Sequence, residues 1–381
     1  MLSTIDFNRV LFLTLNKRIK TQKVSLLLGA RRVGKTIVLQ QIANKYKENC
    51  LLLNGEDQDV RELLLRRSVA NYKKIIGEKQ LLIIDEAHHI PEIGKIAKLM
   101  IDEIKPLHII LSGSSTFNLQ QGAGEPLVGR SYEYTLYPIA QCELKEQENL
   151  LQTKANLSDR LIYGSYPEVL RLTTNKEKEE YLKLLVNQYL LKDILEFENV
   201  KQSDKLKKLL QLLAFQVGSE SSSEDMGKRL GISKNTVDRY LDLLTKVFVI
   251  FRLNGFGNNL SKEMTKKPKW YFFDNGVRNA IINDFKPIEV RQDVGFLWEN
   301  YLINERIKAN AYQQKNKEYF FWRTYDQQEI DFIEVENKII SAFEFKYSDT
   351  KVKIPGAFAK AYPKAAFTIY TKENYLDWVD G

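Results

Sequence analysis

An α/β protein assembled from several units is the fold class this sequence predicts, and three observations predict it. A glycine-bounded stretch, Gly29-Ala30-Arg31-Arg32-Val33-Gly34-Lys35-Thr36, sits between an apolar run, Val24 to Leu28, and a segment, Ile37 to Ala43, whose apolar residues recur at helical spacing. Further apolar runs of strand length follow at Cys50 to Asn54, Leu81 to Glu86 and Leu107 to Leu111. Strands that alternate with helices in this way build a parallel sheet, since each crossover has room for a helix. The third observation is a late block, beginning near Gly295, in which an amphipathic helix precedes strands of period 2.

The 381 residues suffice for about two to three domains, and a 44% hydrophobic content suffices to bury their cores. Lys and Arg number 57 against 49 Asp and Glu, a formal charge of +8. That excess permits a nucleic-acid partner without requiring one. Cys50 and Cys142 show no CxxC or Cys/His spacing and point to a reducing compartment. The start, Met1 to Val10, lacks the pattern of a signal peptide, and no apolar run nears the ~20 residues that span a bilayer. The expectation is a cytoplasmic protein with no membrane partner.

The glycine-bounded stretch has the spacing of a phosphate-binding loop: glycine, four residues, then glycine-lysine-threonine. Between a strand and a helix, such a loop turns successive N–H groups inward, and the helix N-terminus adds partial positive charge. Gly29 and Gly34 let the backbone approach phosphate where a Cβ would obstruct it. Lys35 is expected to reach the β- and γ-phosphates of ATP, and Thr36 to place its hydroxyl on Mg²⁺. Asp85 and Glu86 stand at the end of a buried strand, where ligands sit in open α/β sheets. There Asp85 suits the Mg²⁺ shell opposite Thr36, and Glu86 suits polarising an attacking water. These residues make the chain a candidate Mg²⁺-dependent ATPase.

The rest of this region follows in order. Asp6 to Lys20 reads as an amphipathic helix beside the first strand, and a helix from Val60 to Ile76 ends at Gly77. Asp85-Glu86-Ala87-His88 spells the tetrapeptide of one helicase group, but that group needs a second motor domain and none follows. His88 and His89 therefore read as helix-start residues, and His108 as packing within its strand. After the fourth strand, Ser114 is the candidate for sensing the γ-phosphate, with an ordinary turn as the alternative. Arg130, before a strand from Tyr132 to Leu136, is either an arginine finger, in cis or in trans, or a surface pair.

From Ala140 to about Val200 the composition is helical, broken at Tyr163-Gly164-Ser165-Tyr166-Pro167. Three helices then follow, Asp204 to Phe215, Glu224 to Leu230 and Lys234 to Val247, the last capped by Ser233. With strands at Phe248 to Leu253 and Trp270 to Phe273 they make a winged helix-turn-helix. Lys234, Asn235, Thr236 and Arg239 lie at the exposed start of the recognition helix. Between Arg252 and Lys269, the basic residues Arg252, Lys262, Lys266, Lys267 and Lys269 accompany a single acid, Glu263, which suits contact with DNA phosphates. A winged helix used for protein contact is the other reading.

In the late block, the helix opening at Gly295 carries Glu299, and strands run from Tyr319 to Arg323, Glu329 to Val335 and Ile339 to Tyr347. Period 2 sets Glu344 and Lys346 on one face of the last strand. Asp331 on the adjoining strand is placed to meet them and hold a divalent metal, Lys346 to steady phosphate charge, and Glu299 to complete the site. That combination is the one a metal-dependent nuclease needs.

With these residues in hand, the chain resembles the ATP-binding proteins that join an AAA-like P-loop domain to a C-terminal DUF4143 domain of the restriction-endonuclease-like class. The resemblance runs through Gly29 to Thr36, Leu82 to Glu86, Gly129-Arg130 with Tyr137-Pro138, and Tyr163 to Pro167. It continues through Thr236 to Tyr240, Tyr271 to Gly276, Trp298 to Asn300, Glu329 to Phe332 and Glu344 to Lys346. It implies a sheet in which the strand ending at Leu111 lies between those ending near Gly29 and Asp85. Ala87-His88 departs from the Ile-Gln expected at that point.

The expected architecture is thus a multidomain α/β chain. A P-loop ATPase core spans 1–139, a helical connector 140–203, a winged helix-turn-helix 204–275 and a restriction-endonuclease-like, PD-(D/E)XK nuclease-like domain 276–381. The expected function is an ATPase whose nucleotide cycle controls DNA contact. The alternatives are a STAND-like signalling switch that binds protein partners and an ATP-gated, metal-dependent DNA nuclease. ATP, Mg²⁺, a second divalent ion in the C-terminal domain, DNA and a second copy of the chain are the ligands and partners this reading admits.

Overall fold

Five short strands carry the apolar runs of the first third of the chain: β1 Val24–Leu28, β2 Cys50–Asn54, β3 Leu81–Asp85, β4 His108–Gly113 and β5 Ser131–Thr135. They form one sheet in the order β2-β3-β4-β1-β5, and every pairing is parallel. β1 and β4 are buried along their whole length, as continuous apolar runs require when helices cover both faces. β4 lies between β1 and β3, the order the resemblance implies. Chain 7–114, 127–190, 203–257, 267–348 and 352–379 is what this computed structural model describes. The molecule divides into two units, Met1–Ile139 with Lys246–Phe248, and Ala140–Thr245 with Val249–Gly381.

Local chemistry explains where the first unit departs from the sequence reading. The single helix expected over 60–76 is two, Gln58–Leu65 and Val69–Ile76. Ser68 breaks it: its hydroxyl accepts the Asn71 N–H at 3.1 Å and caps the second helix. Gly77 ends that helix at φ +60°. The first helix is shorter than expected, Val10–Arg18. His108 is buried in β4, with Nε2 3.1 Å from Ser25 Oγ and Nδ1 2.8 Å from the Thr21 carbonyl. Burial lowers its pKa, so it is a neutral packing residue.

The second unit begins with four short helices, Leu150–Ala155, Leu157–Tyr163, Pro167–Arg171 and Asn175–Leu184. The helices Ser203–Phe215, Ser223–Leu230 and Lys234–Lys246 then precede an antiparallel pair, β6 Ile250–Gly255 and β7 Lys269–Phe272. That is the element order expected of a winged helix, but the pair is not a free-standing wing. β6 also pairs in parallel with β8 Glu318–Arg323, so both strands form the edge of a six-stranded sheet, β11-β10-β9-β8-β6-β7. β9 Glu329–Glu336 and β10 Ile339–Phe345 make its central hairpin, and β11 Ala366–Tyr370 its far edge. The hairpin turns on Asn337 and Lys338, both at positive φ, the two-residue turn whose twist matches antiparallel strands. The helix Val294–Tyr312 contributes a long row of buried residues to the same unit.

Candidate functional site

β1 delivers the chain into Gly29, and Gly34, at φ +99°, immediately precedes the helix Lys35–Lys45. Gly29 has no room for a side chain: a Cβ there would lie 2.2 Å from the Leu136 carbonyl oxygen, which is backbone and cannot yield. The Lys35 side chain is buried, and its ammonium donates to the carbonyls of Gly29 at 2.9 Å and Ala30 at 3.0 Å. It thereby closes across the loop. Thr36 Oγ1 donates to Asp85 Oδ2 at 2.7 Å. The other carboxylate oxygen, Oδ1, accepts from Ser112 Oγ and from the Glu86 N–H at 3.1 Å.

Glu86 takes a left-handed conformation, φ +47°, which swings its side chain out of the strand direction. Its N–H also donates to Ser112 Oγ at 3.0 Å, holding the turn. Burial pushes its carboxyl pKa up, but the hydrogen bond from His88 and the charges of Lys35, His88 and Arg31 outweigh it and hold the pKa at about 2. His88 Nδ1 lies 3.2 Å from Glu86 Oε2. Ser114, just past β4, is buried, and its hydroxyl has no hydrogen-bond partner among the described residues. β4 runs between β1 and β3 with Gly113 beside Leu28, so Ser114 leaves the sheet at the same end as the loop and Asp85.

These residues fit a Mg²⁺–nucleotide. The loop is a cradle that a Cβ would fill, the ammonium donates to loop carbonyls that a phosphate can replace, and Thr36 and Asp85 present two hard oxygens side by side.

Arg130 sits elsewhere. Its carbonyl accepts the Val24 N–H at 2.9 Å, at the start of β1, whereas the loop leaves the other end of that strand. Its side chain pairs with Asp102 at 2.9 Å on the surface. The cis arginine-finger reading is therefore corrected to the surface pair, because the parallel register puts Arg130 at the wrong edge of the sheet.

A second constellation lies wholly within the second unit. Glu299, Asp331, Glu344 and Lys346 come together there. Asp331 Oδ2 accepts the Phe345 N–H at 2.8 Å, Lys346 Nζ lies 2.6 Å from Glu344 Oε1, and Glu299 is close enough to raise the Asp331 pKa. Lys269 joins them, which period and spacing gave no reason to expect. Its buried ammonium lies 2.5 Å from Glu329 Oε1 and 3.3 Å from Glu299 Oε1. Tyr271 also donates to Glu299 Oε1, at 2.5 Å. Burial works to lower the Lys269 pKa, yet the charges of Glu299, Glu329 and Asp331 raise it. The expected second metal finds no support in this arrangement. Among the described residues no three His, Cys, Asp or Glu side chains converge as ligands.

Residues 21–145 of this sequence match the AAA domain, and residues 294–381 match a domain of unknown function, DUF4143. The chain thus carries an AAA domain followed later in the sequence by a DUF4143 domain, the pairing that its motifs resemble. Between them, residues 154–287 match another domain of unknown function, DUF8612. An uncharacterized protein of Mycobacterium tuberculosis is 24% identical over 343 residues, 88% of this chain and 73% of that one. One from Haemophilus influenzae is 26% identical over 287 residues, covering 69% and 70%. The RuvB Holliday junction branch migration motor of Thermotoga maritima overlaps with 65% of this chain and 90% of its own, at 17% identity. The TM-score is 0.31.

The first unit contains a brace that the sequence did not signal. Arg9, read only as part of an amphipathic segment, is buried and donates to the Val33 carbonyl at 2.6 Å and the Tyr137 carbonyl at 2.7 Å. It braces the phosphate loop from behind. His88 was likewise read as a helix start. Its Ala-His context, where Ile-Gln was expected, was the only signal that the surroundings of Glu86 differ. Among the described residues, no helix is long and apolar enough to cross a membrane.

In the DUF8612 region, Lys234, Asn235 and Arg239 are exposed, while Thr236 is half-buried and its N–H bonds to the Ser233 hydroxyl at 3.2 Å. Lys267 pairs with Asp225 at 2.7 Å. Lys266 lies outside the described residues. Lys269, counted among basic residues facing DNA, is buried and committed to Glu299 and Glu329, so it is withdrawn from that set.

In the DUF4143 centre, burial, then the charges of Glu299 and Glu344, push Asp331 well above the usual carboxylate range, against Lys269 and Lys346. A carboxyl whose pKa is higher folded than unfolded contributes stability at low pH and loses it as pH rises through the folded value. Asp331→Asn, which resembles the protonated form, is expected to gain stability relative to wild type from pH 5 to pH 8. Urea unfolding at the two pH values measures this, and a constant difference would show that Asp331 is ionised throughout.

Proposed function

We propose that this chain is a Mg²⁺-dependent ATPase whose nucleotide state controls contact with DNA. The observation that carries the first half is the Thr36–Asp85 hydrogen bond with Glu86 beside it and the Lys35 ammonium across the loop. The AAA domain match supports ATP as the nucleotide. Mg²⁺ held between Thr36 and Asp85 would neutralise charge on the β- and γ-phosphates. The loop amides and Lys35 bind the phosphates, and the Ser114 hydroxyl hydrogen-bonds the γ-phosphate. A carboxylate with a pKa of about 2 stays ionised at any working pH, so Glu86 acts by accepting a hydrogen bond from the attacking water and orienting it.

The second half rests on the exposed start of the helix Lys234–Lys246. Lys234, Asn235 and Arg239 stand in solvent there, on a chain whose formal charge is +8. Phosphate contacts give affinity that falls with salt, by roughly one unit of log–log slope per contact. A Lys234→Glu, Arg239→Glu variant is therefore expected to bind duplex DNA about tenfold more weakly and with a shallower salt slope, read by fluorescence anisotropy. Unchanged affinity would move this helix to protein contact. That second reading has its own support, because β6 and β7 are built into the larger sheet and Lys267 is engaged by Asp225.

A further inference from the structure

The acidic centre of the second unit contains an ammonium ion of its own. Lys269, on β7, reaches Glu329 at the start of β9 and Glu299 on the helix Val294–Tyr312. Tyr271, two residues along β7, reaches the same Glu299 oxygen. We infer that Lys269 is the resident cation of this centre, closing it to divalent metal and locking β7 to the helix and strand that carry the carboxylates.

Three observations support the inference. The Lys269 side chain is almost wholly buried, so its charge is held by the centre and not by solvent. Its Nζ lies 2.5 Å from a Glu329 oxygen and 3.3 Å from a Glu299 oxygen, which sets its charge between two carboxylates that need a cation to balance them. Among the described residues Lys346 reaches one oxygen of Glu344, and the other, Oε2, is buried without a hydrogen-bond partner, so that lysine does not compensate for losing Lys269. An ammonium balances charge but offers no empty coordination position and does not acidify a bound water. The centre therefore holds structure together and does not cut phosphodiesters. If the chain contacts DNA, it does so without metal-dependent cleavage at these residues.

The test uses the full chain without nucleotide. Mn²⁺ uptake is followed by the loss of the free-ion electron paramagnetic resonance signal, and stability by thermal unfolding. Wild type and Asp331→Asn are expected to take up the same amount of Mn²⁺. Lys269→Met keeps the length of the side chain and its place over the Phe321 ring but removes the charge. It is expected to melt about 10 °C lower, as unpaired buried carboxylates in a unit of this size require. It should also recover part of that loss in millimolar Mn²⁺, and the recovery should vanish in Lys269→Met, Asp331→Asn. Mn²⁺ uptake by wild type that depends on Asp331 would overturn the inference, and so would a Lys269→Met variant as stable as wild type. Should Lys269→Met fail to fold, Glu329→Gln decides. It removes the nearer carboxylate, and an unchanged melting temperature would show that Lys269 is not bound there.

Discussion

Glu86→Gln is expected to bind ATP as tightly as wild type and to hydrolyse it about 100-fold more slowly, the scale for misplacing a reacting group. Lys35→Ala is expected to fail earlier, at binding. The difference lies in what each side chain touches. The Lys35 ammonium spans the mouth of the loop between the Gly29 and Ala30 carbonyls and meets phosphates in ground and transition states alike. Glu86 is anchored outside the loop by its own amide on Ser112 and Asp85, with its carboxylate beside His88. Its interaction is with water, so losing it costs turnover and spares affinity. Equilibrium binding of a fluorescent ATP analogue, paired with phosphate release, separates the two. A Glu86→Gln enzyme that turns over at the wild-type rate would remove Glu86 from the chemistry.

Gly276→Ala is expected to destabilise the second unit by about 3 kcal/mol or more, the upper range for forcing atoms into a packed interior. A Cβ at Gly276 would lie 2.0 Å from the Tyr163 carbonyl oxygen and 2.4 Å from its carbon, both backbone. Neighbouring contacts leave little room to adjust. Asp274 caps the helix Asn275–Ile282 by accepting the Val277 N–H, and its other oxygen accepts the Ser165 N–H at 2.7 Å. Gly164, at φ +73°, lies directly against that carboxylate. Asn279 donates to the carbonyls of Leu161 and Ile162. Burial pushes the Asp274 carboxyl up to about 6, against the backbone N–H groups of Ser165, Val277 and Gly276 and the charge of Lys308. Tryptophan fluorescence reports this unit alone, since Trp270, Trp298, Trp322 and Trp378 all belong to it. Gly295→Ala, where nothing lies within 4 Å of the new atom, is the control expected to unfold like wild type. Equal stability of the two variants would mean that the segments at Tyr163 and Gly276 separate at little cost.

These two blocks show how far the sequence carries. Tyr163 to Pro167 and Tyr271 to Gly276 were both visible as blocks, a turn with glycine and proline and a strand ending in Asp-Asn-Gly. That they pack Gly276 against the Tyr163 carbonyl and bond Ser165 to Asp274 was not, because they are more than 100 residues apart and neither carries a pattern that names its partner. The helix over 60–76 failed for a different reason. Periodicity saw one apolar face, and a single hydroxyl at Ser68 was enough to stop and restart it.

The phosphate loop, the strands on either side of it and the acidic pair after β3 follow from the sequence alone. Their chemistry is local: a glycine where no Cβ fits, a lysine and a hydroxyl at the first helical turn, a carboxylate where a buried strand ends. The helix cap at Ser233 is local in the same sense. Tertiary structure decided the rest. It put His88 on Glu86, Arg9 behind the loop, Arg130 at the far edge of the sheet, β6 against β8, and Lys269 among the carboxylates. Each of these depends on strand order and register. Such pairings bring together residues that are distant in the chain, and period and composition along a single segment hold no record of which distant segment will lie beside it.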